Sequence, residues 1–300
     1  MKLQAILQGL EPLEVHADLS REITGICYDS RAVKPGNLFV AICGYDTDGH
    51  KYIPMALEKG AACVLCEKAP AEGEYVLLSD TRRGLALAGA NWYGNPAGEM
   101  TMIGITGTNG KTTTTYLVKH ILEDCLGAKV GLVGTIQNMI GDEVLHAERT
   151  TPESLELQAL FRHMADAGCT HVVMEVSSHA LSLHRVDGVT FDVGVFTNLT
   201  QDHLDFHKTM EEYCRAKAML FTKSKVGTVN VDDPWAKEIL AHATCPVLTY
   251  SAKGQAALEA TDIRLEPHHV AFTAHYQGTE TACTLGIPGA FSVYNALSAL

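Results

Sequence analysis

The run Ile103-Gly104-Ile105-Thr106-Gly107-Thr108-Asn109-Gly110-Lys111-Thr112 has the residue types to hold phosphate. It follows a strand-like stretch and opens a helix-like one, the setting a phosphate loop requires. Glycines let backbone N–H groups converge on an anion without a Cβ in the way, and a helix N-terminus adds a favourable dipole. In that reading Lys111 reaches the β- and γ-phosphates and Thr112 holds Mg²⁺. Ile105 stands where the strict G-x-x-x-x-G-K-[ST] pattern has its first glycine. A tight glycine turn between strand and helix is the plainer alternative. Such a loop specifies nucleotide binding, not a reaction.

Three further residues stand out. Glu175 ends the apolar run Val172-Val173-Met174, at the C-terminal edge of an expected parallel strand. Open α/β sheets carry ligand groups at that edge, so Glu175 is a candidate metal ligand; a solvated carboxylate is the alternative. His203 lies just past another strand end and four residues before His207, a spacing that can place two metal ligands on one helix. The Glu of an H-E-x-x-H motif is missing, so a zinc protease is not indicated, and a structural loop histidine competes. Lys217 shares a helical stripe with Met210, Tyr213, Cys214, Leu220 and Phe221. A lysine there ordinarily snorkels to solvent. If buried, it has a lowered pKa, because desolvation disfavours the ammonium. The neutral amine can then take up carbon dioxide as a carbamate, a carboxylate-like metal ligand. Cys63 and Cys66 form a C-x-x-C inside an expected strand, facing opposite ways, and no second such pair supports zinc.

The elements that must position these residues follow from periodicity. Residues 26–28, 38–41 and 61–66 read as strands, and 51–59 and 81–93 as helices. Gly94-Asn95-Pro96 stops the last of these, which puts a boundary near residues 95–99. Beyond it, strands (101–106, 129–133, 171–176, 191–197, 226–231, 247–250) alternate with helices (112–124, 154–167, 209–222, 234–242), which indicates a largely parallel sheet covered on both faces. Thr209-Met210-Glu211-Glu212 fits a capping box. Residues 262–287 read as antiparallel strands, and the last ten as an amphipathic helix with no cap after it.

The 300 residues suggest two domains, 1–97 and 98–300. With 46% hydrophobic and 19% charged residues the chain is not disordered. A formal net charge of −12 argues against nucleic acid polymers as partners. Nine scattered cysteines, an odd number, point to reduced thiols in a cytoplasm. No signal peptide or spanning segment is evident, so membrane insertion is not expected.

Together these motifs resemble those of the Mur ligases of bacterial peptidoglycan synthesis. The resemblance rests on Tyr28-Asp29-Ser30-Arg31 with Pro35-Gly36 and Asp48-Gly49-His50, the loop 106–113, Glu175-Val176-Ser177-Ser178-His179 with His184-Arg185, and Asn198 to His207 with Lys217. The family's own loop lacks the same first glycine. The resemblance implies a small α/β uridine-binding domain, then a P-loop-type ATPase domain with a mostly parallel sheet and an antiparallel addition. It implies that the chain is cut inside the ATPase domain, short of a third domain, and so turns over poorly alone. Tyr28 and Ser30 would hold the uridine diphosphate end of the substrate, and Thr150, Thr151, Ser177 and Arg185 the muramoyl dipeptide. Gly107, Thr108, Asn109, Gly110, Lys111, Thr112 and Thr113 would hold ATP, with Asn295 on the adenine side. Leu183 and Ser292 depart from residues common at those positions. Thr112, Glu175, His203 and Lys217, as a carbamate, would bind two Mg²⁺ ions. The implied activity is ATP-dependent addition of the third amino acid, meso-diaminopimelate or L-lysine, by a monomeric cytoplasmic enzyme acting on small-molecule substrates. The ligase adding D-alanyl-D-alanine, folylpolyglutamate synthase and a non-catalytic nucleotide-binding fragment are the alternatives.

Overall fold

The computed structural model describes residues 1–44 and 47–300, and the chain divides into two compact units. The first comprises Met1–Pro96, Glu153–His163 and Leu183–Gly188; the second comprises Ala97–Pro152, Met164–Ser182 and Val189–Leu300. None of the helices is long and apolar enough to cross a membrane, among the described residues.

In the first unit the described strands are β1 (Glu14–His16), β2 (Gly25–Cys27), β3 (Asn37–Val40), β4 (Cys63–Cys66) and β5 (Tyr75–Leu77). They form a sheet in the order β1-β5-β4-β3-β2, parallel except for β1 against β5. The helices are α1 (Leu3–Ile6), α2 (Ile53–Glu58) and α3 (Thr81–Trp92). Asp80 caps α3 by accepting from the Arg83 N–H, and Gly94, at φ 74°, follows its end. β3 and β4 are buried along their whole lengths. Cys63 joins the apolar cluster with Leu3, Ile6 and Leu85, while Cys66 joins the one with Phe39 and Ala56. The two thiols therefore serve opposite faces of the sheet, and burial pushes both well above the usual thiol range.

The second unit runs β6 (Thr101–Thr106), α4 (Lys111–Leu126), β7 (Val130–Val133), β8 (Asn138–Ile140), β9 (Glu143–Leu145), α5 (Ser154–Asp166, whose first turns cluster with the first unit), β10 (His171–Glu175), α6 (Ser178–Ser182), β11 (Phe191–Phe196), α7 (Leu204–His207), α8 (Met210–Thr222), β12 (Ser224–Asn230), α9 (Ala236–His242), β13 (Val247–Ser251), β14 (Leu258–Leu265), β15 (Val270–Tyr276), β16 (Thr279–Leu285) and α10 (Ala290–Ala299). The sheet order is β16-β15-β14-β13-β12-β11-β6-β10-β7-β8-β9. β14 through β7 in that order are parallel; β15, β16, β8 and β9 are antiparallel. The antiparallel addition expected near the C-terminal end is present, and a short hairpin, β8–β9, adds a second at the opposite edge.

β6 lies between β10 and β11, so the loops after these three strands open at one end of the sheet. That is the switch point where open α/β sheets take ligands. Gly104, in the middle of β6, is part of how α8 reaches this place. A Cβ there would stand 2.8 Å from the Phe191 ring and 3.1 Å from Leu220 of α8. The missing side chain lets helix and strand approach. Gly104→Val should therefore overpack this contact and destabilise the fold by about 1–3 kcal/mol. A thermal melt reads it as a lowered Tm, and an unchanged Tm would refute the packing argument.

Candidate active site

The phosphate loop is built as its sequence suggests. Gly107 and Gly110 hold φ of 150° and 87°, and Gly110 is the N-cap of α4. Side chains from other strands fix the rest. The Asn109 N–H donates to Asn198 Oδ1 at 2.9 Å, and Asn198 Nδ2 donates back to the Asn109 carbonyl at 3.0 Å. Thr197 Oγ1 donates to the same carbonyl at 2.7 Å. The Thr108 N–H donates to the Asn198 carbonyl at 2.9 Å. The segment after β11 thus acts as a splint for the loop. Sequence spacing did not single out Thr197, and Asn198 only marked the start of a motif.

Two lysines converge on one oxygen. Lys111 Nζ donates to the Gly107 carbonyl at 3.0 Å and to the Thr108 carbonyl at 2.9 Å. Lys217 Nζ donates to the same Gly107 carbonyl at 2.8 Å. Lys217 is 1% exposed, which removes the snorkelling alternative. Its amine lies 4.5 Å from the centre of the Tyr213 ring. Burial first, and then the Lys111 charge, hold Lys217 well below the usual lysine range. Burial also lowers Lys111, against the opposing pull of Glu175 and Asp202.

Glu175 is buried, not solvated. Its Oε1 accepts from Thr112 Oγ1 at 2.8 Å and from the Thr135 N–H at 2.9 Å, and its Oε2 accepts from Thr135 Oγ1 at 3.0 Å. Thr135 and Thr150 share a hydroxyl contact at 3.0 Å. Thr151 Oγ1 donates to the Glu175 carbonyl at 2.8 Å and accepts from the Ser177 N–H at 3.2 Å. Thr112, Thr150, Thr151 and Ser177 are thus gathered around Glu175, and Thr135 joins them without a sequence signal. A hydroxyl and a carboxylate meeting on hard oxygens suit Mg²⁺. Among the described residues no three His, Cys, Asp or Glu side chains form a metal cluster by themselves.

The histidines divide. His207 is buried, with Nε2 2.8 Å from Ser178 Oγ, and burial with nearby His179 and Lys217 lowers its pKa to about 4. His203 sits before α7 at φ 52°, its side chain half exposed, with its ring 4.9 Å from His179 and 6.1 Å from Tyr213. The four-residue spacing therefore makes no matched metal pair: His207 already has Ser178, and His203 stands apart from it in exposure.

Models of two families match the chain: the Mur ligase middle domain over residues 105–300, and the Mur ligase family catalytic domain over residues 22–87. The chain belongs to the Mur ligase family. A UDP-N-acetylmuramoyl-L-alanyl-D-glutamate--2,6-diaminopimelate ligase from Clostridium tetani is 46% identical over 307 positions, covering all of this chain and 63% of its own length. The ligase of the same name from Caldanaerobacter subterraneus subsp. tengcongensis is 47% identical over 304 positions, with the same coverages. A solved structure of a protein of that name superposes with a TM-score of 0.88 at 28% identity, over all of this chain and 62% of that one. The chain thus spans less than two thirds of the length of the relatives it matches.

The other site residues expected of a Mur ligase fall as follows. Asn295 of α10 is buried against Gly110, where a Cβ would collide with its Oδ1. In the first unit Tyr28 donates its hydroxyl to Glu156 Oε1 at 2.8 Å, and Ser30 is buried. Arg185 pairs with Glu153 at 2.6 Å. The His50 backbone N–H, at 3.0 Å, and then its Nδ1, at 2.6 Å, bond Asp48 Oδ1 and hold that carboxyl down at about 2, while Nε2 accepts the Glu67 N–H.

The splint makes a direct prediction. Asn198→Ala removes both side-chain bonds to Asn109. Hydrogen exchange at the Asn109 amide should accelerate about fivefold to tenfold, the worth of roughly one hydrogen bond. Unaltered exchange would mean that the splint does not hold the loop.

Proposed function

We propose that this chain carries the nucleotide and UDP-substrate sites of an ATP-dependent amide ligase. The ligase adds a third amino acid to UDP-N-acetylmuramoyl-L-alanyl-D-glutamate in peptidoglycan synthesis. The observation that carries this reading is the convergence of Lys111, Thr112, Glu175 and the buried Lys217 at one sheet end. The relatives named as 2,6-diaminopimelate ligases favour diaminopimelate over L-lysine as that amino acid. On the same reading residues 1–97 are the UDP-substrate domain and 98–300 the ATP domain. The enzyme works as a cytoplasmic monomer, a setting that suits nine free thiols.

In the proposed reaction the D-glutamate carboxylate oxygen attacks the γ-phosphorus of ATP, and the bond to the ADP oxygen breaks. The amino nitrogen then attacks the acyl-phosphate carbon, phosphate leaves, and the nitrogen loses a proton. Lys111 turns from the loop carbonyls to the β- and γ-phosphate oxygens, and the backbone N–H groups of 107–113 cradle them. Asn295 lines the adenine side. Tyr28 and Ser30 hold the uridine diphosphate; Thr150, Thr151, Ser177 and Arg185 hold the muramoyl dipeptide. Thr112, Glu175, His203 and Lys217 hold Mg²⁺, two ions in all, which when bound neutralise charge on the transferring phosphoryl group. Lys217 serves there as a carbamate: its neutral nitrogen adds to carbon dioxide and releases one proton, so that a neutral amine becomes an anion.

Calorimetry tests the substrate. The chain should bind UDP-muramoyl dipeptide more tightly than UDP-muramoyl tripeptide or a folate; preference for either of the others overturns the assignment. The carbamate has its own test. ¹³C-bicarbonate should give a carbamate resonance that disappears in Lys217→Ala. In the complete enzyme the same substitution should abolish ligation, with partial rescue by a short carboxylic acid. A wild-type spectrum without that resonance removes the carbamate.

A further inference from the structure

Tyr213 belongs to none of the roles assigned above, yet it lies against Thr108 and Lys217, which carry two of them. It is 1% exposed. Its hydroxyl lies 3.2 Å from Thr108 Oγ1 in the phosphate loop. Its ring covers Lys217 Nζ, one turn further along α8. The other side of its environment is His207, whose ring stacks on it with centroids 5.0 Å apart at 29°. His207 is pinned in turn to Ser178 of α6.

Filling this space would need only an apolar side chain. A buried phenol costs free energy unless its hydroxyl is bonded. Thr108 Oγ1 has one hydrogen, for which the Thr200 carbonyl and the phenol oxygen both lie at 3.2 Å, and it accepts the Thr200 N–H at 3.0 Å. With that hydrogen on the carbonyl, the phenol donates to Thr108 Oγ1, and each group is bonded.

We infer that Tyr213 is a positioning residue that ties the phosphate loop to the helix carrying Lys217, so that nucleotide in the loop is felt at the lysine. The inference rests on the nucleotide reading above. Its two ends act through different atoms: the hydroxyl sets the loop, and the ring roofs the amine.

The two ends can be separated. MgADP binding is measured by calorimetry on the full chain, and the Lys217 adduct by its ¹³C resonance in labelled bicarbonate. Tyr213→Phe keeps the ring and removes the hydroxyl. It should weaken MgADP about threefold to tenfold, the range for one lost hydrogen bond. The adduct resonance should persist, but its displacement on adding MgADP should fall by at least half. In a Thr108→Val background, Tyr213→Phe should weaken binding by less than about twofold, because the shared bond is already gone. A purely structural role would lower Tm and leave the affinity and the displacement alone. Wild-type affinity in Tyr213→Phe, or full additivity with Thr108→Val, overturns the inference. A wild-type chain that binds no MgADP overturns the nucleotide reading, and the inference with it. Absence of a wild-type adduct signal removes the carbamate instead, and the affinity cycle still decides the role of Tyr213.

Discussion

The carbonyl oxygen of Gly107 is the point on which the site turns. It accepts from Lys111 within the loop and from Lys217 on a helix 110 residues away. Two amines can share one oxygen only if the loop, β6 and α8 keep a fixed separation. Several features described above serve that separation. Gly104 lets α8 lie close to β6, Thr197 and Asn198 hold the loop from the neighbouring strand, and Tyr213 closes the remaining side. Placing two cationic groups so close and so deep also costs solvation, which is why both amines lie below the usual lysine range. The arrangement favours a neutral amine at Lys217, and a neutral amine is the form that adds carbon dioxide.

The sequence revealed much of this, and it did so where the signal is local. The alternating strands and helices of the second unit were legible because parallel strands are short apolar runs and their helices carry clear stripes. The phosphate loop was legible because glycines at 107 and 110 meet a backbone need that other residues meet poorly. Lys217 was legible as a charge on an apolar stripe, though periodicity left snorkelling open until its burial was seen.

What escaped notice is held by sheet order, not by spacing. Thr135 reaches Glu175 across 40 residues because β7 lies beside β10, and Asn198 reaches Asn109 across 89 because β11 lies beside β6. Nothing at either position announces its partner. The β8–β9 hairpin escaped because three-residue strands are too short for a pattern. The His203–His207 spacing misled for the same reason in reverse. Helical register suggested a shared ligand, whereas α6 supplies Ser178 to one ring and leaves the other half exposed.

The packing of α10 on α4 bears on the order in which the site is made. Asn295 lies against Gly110, and Ser298 meets Thr114 at 3.0 Å across 184 residues of chain. A ribosome working at about 5–20 residues per second takes roughly 10–40 s to add a stretch of that length. Through that interval the nascent loop has β6 and α4 but not the helix that backs it. The helix that backs the loop thus arrives long after the strand and turn that first define it have emerged.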